Sequence, residues 1–369
     1  MPVLGISLYP EKAEFQEMKE YLALAKSYGF QRLFLSLLQI DRNNVQASMK
    51  KYKKIIKEAR AQDYEVVIDF IPQMFELFGT TYKDLKFLVD WGVNGIRLDA
   101  GMTGKEEAEM TKNPYGIKIE LNMSNYSHYL EQILDYGPNR KQLTGCHNFF
   151  PQNYTGLSRE QFKQYSKKFR QSYLTTAAFV TSQEGEHGPW PLQEGLCTLE
   201  EHRQLPIGLQ AMDLFQSGLI DDVLIGTMFA SEEELRQVSE AEKDAMKKID
   251  LVLMDDTTEF EKKLLFNYTH NYRGDSSDYM IRSTRIRAKI VEEPLPKHES
   301  AQAIKKGDIL ILNEGYGQYK GEVQIALKDR PKDEKINLVG RIPENRLFLI
   351  DNIQRFEDFQ FRVVTENND

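Results

Sequence analysis

An eight-stranded β/α barrel followed by a smaller, mostly β domain is the fold this sequence predicts, and three observations predict it. Through the first 250 residues, short β-branched or apolar runs alternate with amphipathic stretches, the pattern of a parallel sheet with helical crossovers. About eight such units follow one another, the number that a closed barrel needs. Beyond about Asp250 the texture changes to strand-like runs such as DYMIRSTRIRAKI and DILILNEGYGQYKGEVQIAL, separated by Gly, Pro and charged turns.

The candidate barrel strands are VLGISLY from Val3, RLFLSLL from Arg32, EVVIDF from Glu65, GIRLDA from Gly95, IKIELN from Ile117, LTGCHNF from Leu143, TTAAFV from Thr175 and DDVLIG from Asp221. Between them, Phe15 to Tyr28 carries apolar residues at helical spacing and stops before Gly29, the usual C-terminal punctuation. Asn44 to Gln62 reads the same way. The last crossover opens on Ser231 with Glu234 three residues later, a capping-box signature. At 369 residues the chain exceeds what one core usually serves. The expected domains are 1–250, the barrel, and 258–369, the β-rich domain.

Composition narrows the function. Hydrophobic residues at 41% and aromatics at 11% are those of a globular protein and not of a disordered one. No apolar run approaches the roughly 18 residues of a transmembrane helix, and no charged leader precedes the first apolar residues, so a cytoplasmic protein without membrane association is expected. Cys146 and Cys197 lack metal-ligand spacing, which points to neither a zinc site nor a disulfide framework. A net charge of -8 without a basic stripe opposes nucleic-acid binding. No cofactor is indicated, and an anionic small molecule would need a local site.

Strand alternation shows where charge enters the barrel. The outward face must be apolar to receive the helices. Ile96 and Leu98 therefore leave Arg97 and Asp99 inside; Ile117, Ile119 and Leu121 leave Lys118, Glu120 and Asn122; Val66, Ile68 and Phe70 leave Asp69 beside Val67 and Glu65. Clustered interior charges must pair, hydrogen-bond or line a solvated site. A buried network, such as Arg97 with Glu120 or Glu65, is one reading and an active site is the other. Asp69, Asp99 and Asn122 fall towards the C-terminal strand ends, where barrel enzymes assemble their sites, and so do Ser7 and Tyr9. Acids, an amide and hydroxyls around a pocket suit glycoside chemistry, among several others.

Two loops add candidates. The sixth strand runs into CHNFFPQNYTGLS, where His147 and Asn148 precede aromatics, a proline and a glycine turn. His147 suits a phosphate oxygen, a sugar hydroxyl or a backbone carbonyl. The seventh loop, TSQEGEHGPWPLQEGLCTLEEHR, has the length of a lid or binding surface. Trp190 suits stacking on a sugar or plugging the loop, Glu194 is a candidate pocket residue, and Glu200 and Glu201 read as a solvated helix start. In the second domain Arg282 and Arg285 lie on opposite faces of a strand-like segment, so at most one serves a given site. The neighbouring RGD triplet supports no adhesion reading.

Taken together, GISLYP, LFLSLL, GIRLDAG, IELNMSN, HNFFPQNYTGL, EGLCTLEEHR, MIRS and GEVQI resemble one bacterial family across essentially the whole chain. That family, long a domain of unknown function and sometimes labelled outer surface protein, includes 6-phospho-N-acetylmuramidases. The resemblance implies a barrel with a cyclophilin-like C-terminal domain. It also implies hydrolysis of N-acetylmuramic acid 6-phosphate linked to N-acetylglucosamine, in cell-wall recycling. Matching motif positions place Asp69, Asp99 and Glu120 among the candidate acids, and the leading reading makes them the acid, base, nucleophile or orienting set. The phosphate and lactyl carboxylate of such a substrate call for cations, for which Arg97, Lys118, His147 and Arg282 are the candidates.

Two rivals share the fold class. A sugar-phosphate aldolase or isomerase would use a barrel lysine, and Lys118 is the inward candidate. A non-enzymatic sugar-phosphate sensor would use the second domain for a partner, and the inward acids weigh against it. Retention and inversion differ in the separation of the carboxyl groups, a property of the fold and not of the sequence.

Overall fold

The computed structural model describes residues 2–40, 43–125, 128–192, 194–244, 246–275, 277–289, 293–299 and 302–365. The chain forms two compact units, Met1–Lys243 and Asp244–Asp369.

The first unit is the expected barrel. Its strands are β1 (Leu4–Leu8), β2 (Arg32–Ser36), β3 (Glu65–Phe70), β4 (Gly95–Leu98), β5 (Lys118–Asn122), β6 (Leu143–Cys146), β7 (Thr175–Val180) and β8 (Asp222–Ile225). Each pairs in parallel with the next, and β8 returns to β1 through Leu4↔Val223 and Ile6↔Ile225, so no edge is left. The helices are α1 (Phe15–Ser27), α2 (Val45–Ala61), α3 (Gln73–Leu77), α4 (Lys86–Trp91), α5 (Lys105–Met110), α6 (Tyr129–Asp135), α7 (Arg159–Gln171), α8 (Ile207–Gln216) and α9 (Glu232–Lys243). Local chemistry explains their ends. Asn44 caps α2 by accepting from the Ala47 amide, and Gly29, at φ 90°, closes the turn after α1 where a side chain would be strained. The predicted capping box ahead of α9 forms, with Ser231 N donating to Glu234 and Glu234 N donating to Ser231 Oγ.

Two apolar clusters follow from the alternation. The large one joins the outward strand residues, among them Leu33, Leu35, Val66, Ile68, Ile96, Leu98, Ile119, Leu121, Ala178 and Val180, to the helices. A smaller one, Phe34, Cys146, Ala177, Phe179 and Leu224 with Phe149 against it, fills part of the barrel interior. A Cβ on Gly145 would stand 2.6 Å from the Phe169 ring, so glycine there is what lets α7 close on β6.

The second unit is mostly β. It consists of β9 (Lys247–Leu253), α10 (Glu259–Phe266), β10 (His270–Asn271), β11 (Met280–Ser283), β12 (Asp308–Leu312), β13 (Val323–Ala326), β14 (Ile336–Arg341) and β15 (Asp358–Val363). The seven strands form one sheet in the order β10-β15-β9-β14-β12-β13-β11. Its two ends nearly meet. Ser283 Oγ on β11 lies 3.2 Å from His270 Nδ1 and accepts from Asn271 N at 3.3 Å, both on β10.

Candidate active site

Two charged groups occupy the barrel interior at different depths. The deeper one is built on Arg32 and Asp222, the first residues of β2 and β8, and on Glu120 in the middle of β5. Arg32 donates from Nη2 to Glu120 Oε2 at 2.5 Å and from Nη1 to Asp222 Oδ2 at 3.3 Å, and Asp222 also accepts from Val3 N at 3.1 Å. All three side chains are buried. Burial raises the Asp222 carboxyl to about 6, opposed by Arg32 and reinforced by the charge of Glu120. Sequence reading missed Arg32, because its partners lie on strands that are not its neighbours.

The shallower group stands at the C-terminal ends of β3 to β6. Arg97 Nη1 donates to Asp69 Oδ1 at 2.8 Å and to Asp99 Oδ1 at 3.2 Å, and its Nη2 donates to Asn148 Oδ1. One guanidinium thus bridges two aspartates. They differ in environment: the Asp69 side chain is 6% exposed and that of Asp99 is 37% exposed. Burial pushes Asp69 up to about 6; Arg97 opposes this, while the charges of Asp99 and Glu120 add to it. Two carboxyl groups in unlike surroundings, one buried and one half-exposed, are what distinct acid and base roles require.

Beside this pair runs a fixed polar scaffold. Asn122 donates to the Asp99 carbonyl at 3.2 Å and accepts from Ser124 N at 2.9 Å. Ser124 Oγ accepts from Asn148 N at 2.9 Å and lies 3.1 Å from His147 Nδ1, whose Nε2 is 2.9 Å from Ser166 Oγ. Burial, with Arg97 nearby, holds His147 down to about 3, so it is neutral.

Several of the side chains expected to bind ligand are engaged by other groups of the protein. His147 is fully buried, with its ring nitrogens beside the two serine hydroxyls. Tyr9 is also fully buried, its hydroxyl donating to the Gly226 carbonyl at 2.6 Å, and Ser7 is buried within the barrel. Lys118 pairs with Glu65 at 2.8 Å; both are the first residues of their strands, at the end opposite the aspartates. That removes the lysine an aldolase reading relied on. Arg282 lies in the second unit and is taken up by Glu322 at 2.7 and 2.8 Å.

The loops at the mouth are tied together. Glu194 accepts from Asn153 N at 2.8 Å, linking the loops after β7 and β6. Glu200 opens a short 3-10 helix, Glu200–His202, as expected, but its carboxylate is engaged and not solvated. It accepts from Tyr154 N at 2.8 Å, from Gly156 N at 2.7 Å and from Arg203 Nε at 2.7 Å, and these bonds, Arg203's first, hold it down to about 2. Glu201 pairs with Arg159 at 2.6 Å. Arg203 Nη1 in turn reaches the carbonyls of Phe150 and Glu194, both at 2.9 Å. Glu234, beyond its capping role, accepts from Ser182 Oγ and Gln183 N in the loop after β7. Trp190 in that loop is 43% exposed. Beside the loop after β1, a cleft of about 590 Å³ is lined by Glu11, Lys12, Lys51, Lys54 and His187 among others.

Fold and site together define a barrel enzyme whose C-terminal mouth carries two aspartates of unlike burial bridged by one arginine. More particularly, the chain belongs to the 6-phospho-N-acetylmuramidase family. The family's N-terminal model matches residues 4–240 and its C-terminal model residues 247–362. The family is one of glycosidases, and the chain is a glycoside hydrolase. A crystal structure of an uncharacterized B. cereus protein is similar at 42% identity and a TM-score of 0.85, over 98% of this chain and 99% of that one. A conserved Enterococcus faecalis protein of unknown function is similar at 25% identity and a TM-score of 0.67, over 99% of this chain and 97% of that one. No curated protein matches.

Proposed function

We propose that the barrel hydrolyses the bond between N-acetylmuramic acid 6-phosphate and N-acetylglucosamine, releasing the two sugars inside the cell during cell-wall recycling. The observation that carries the reading is the Asp69–Arg97–Asp99 group at the mouth of a barrel whose length matches the family.

Asp69, largely protonated below about pH 6, is the general acid that protonates the leaving glycosidic oxygen. Asp99, half-exposed at the strand end, is the second carboxylate. It supports the oxocarbenium-like centre, orienting either a water or the substrate's own acetamido group. Arg97 positions both acids. Glu120, committed to Arg32, adds negative charge that keeps Asp69 protonated and does not touch substrate. Trp190, at the exposed face of the seventh loop, supplies a stacking platform for a sugar ring.

Incubation with the phosphorylated and the unphosphorylated muramyl disaccharides tests this. Release of both sugars from the phosphorylated compound, at a kcat/KM at least about tenfold above the other, is expected for a site that recognises an anion through charged hydrogen bonds. Equal turnover of the two, or of neither, contradicts the proposed substrate.

A further inference from the structure

In the second unit, each buried or half-buried arginine is paired with an acid, with one exception among the described residues. Arg282 and Arg287 share Glu322, Arg346 reaches Asp250 at 2.6 Å, Arg341 reaches Asp308 at 2.9 Å, and Arg273 pairs with Asp275. Arg330 has no acid bonded to it among the described residues; Asp333 acts on it through charge alone. Its Nη2 donates to Gln324 Oε1 at 3.1 Å, its Nη1 lies 3.9 Å from Met280 Sδ, and its buried Nε has no hydrogen-bond partner among the described residues. Burial holds its pKa below the ordinary arginine value.

The guanidinium is also held in place. The backbone of Arg330 pairs in both directions with Ile304, at 3.0 Å each way. Gln324 is oriented by donating at 2.9 Å to Glu322, whose carboxylate is already engaged by Arg282. Arg330 borders a cleft of about 550 Å³ with Lys332 on its rim and Ile304 and Ile336 in its lining. The two isoleucines belong to a small apolar cluster with Leu310, Leu312 and Ala326. The acids of the cleft are engaged: Asp333 accepts from the Tyr316 hydroxyl at 2.5 Å and Glu334 pairs with Lys297 at 2.8 Å.

A half-buried guanidinium whose Nε is unpartnered, and whose neighbouring Asp333 is hydrogen-bonded elsewhere, regains from a bound anion free energy lost on leaving water. The planar guanidinium fork fits two oxygens of one phosphate or carboxylate. We propose that this cleft is a binding site for a small organic anion, a phosphate monoester or a carboxylate. Arg330 grips the anionic group, Lys332 adds charge at the rim, and the isoleucines receive the body of the molecule. The site goes beyond the barrel chemistry and does not depend on it.

Isothermal titration calorimetry of the full-length chain with N-acetylglucosamine 6-phosphate and, separately, with lactate tests the site. Saturable binding of at least one probe is expected, weakened about tenfold or more in Arg330→Gln and severalfold in Arg330→Lys, which keeps the charge and loses the fork. Binding by the barrel is separated with Asp99→Asn, in which the Arg330-dependent binding persists. Saturation by the phosphate probe alone identifies a phosphate ligand, and by lactate alone a carboxylate ligand. No saturable binding of either probe, affinities unchanged in both Arg330 variants, or loss of the binding in Asp99→Asn overturns the proposal.

Discussion

At the scale of single residues, the proposed chemistry rests on one guanidinium serving two aspartates of different burial. Arg97 bonds both, yet Asp69 is the deeper and stays raised to about 6, because burial outweighs the opposing effect of Arg97. An acid that must be protonated to act loses about tenfold of its active form per pH unit above its pKa. The alkaline limb of kcat/KM for the phosphorylated disaccharide is therefore expected to begin near pH 6. Glu120 contributes to the raised value through its charge, so Glu120→Gln moves this limb to lower pH. A limb that stays put in that variant contradicts the role given to Glu120, because a purely structural residue would alter the rate without moving it. His147 illustrates the opposite outcome of burial. It is held neutral, and its two ring nitrogens face two serine hydroxyls, so it stiffens the scaffold under Asn148 without exchanging protons.

At the scale of elements, the barrel was legible because strand alternation is a local property. A period of two in EVVIDF, GIRLDA and IKIELN assigns Val66, Ile96 and Ile119 to the outer core and Asp69, Arg97 and Glu120 to the interior, and the apolar clusters divide along that line. Depth along a strand was less legible. Lys118, Glu120 and Asn122 share a face, yet Lys118 pairs at the N-terminal end, Glu120 with Arg32 below the aspartates, and only Asn122 with the mouth. The loop tethers were not legible at all, since Glu200 meets residues more than 40 positions away and nothing in its spacing signals them. Glu200 joins the loops after β6 and β7 through two backbone amides and Arg203. Glu200→Ala leaves these donors without their acceptor, which costs about 1–3 kcal/mol of stability. Thermal unfolding and steady-state kinetics are expected to show a lower Tm and a raised KM; an unchanged value of both contradicts the tether.

At the scale of the whole molecule, two units with separate sheets make up one family member, and the family models cover both. No helix among the described residues is long and apolar enough to cross a membrane. The acidic chain keeps its interior cations paired in the barrel, at Arg32 and Arg97, and leaves Arg330 of the second unit without an acid bonded to it among the described residues. The most direct measurement is kcat/KM on the phosphorylated muramyl disaccharide for Asp69→Asn and Asp99→Asn beside the unaltered chain, with circular dichroism to verify folding. The account predicts a loss of at least about a hundredfold in each folded variant, the size of an acid–base contribution. Full activity in both would contradict it.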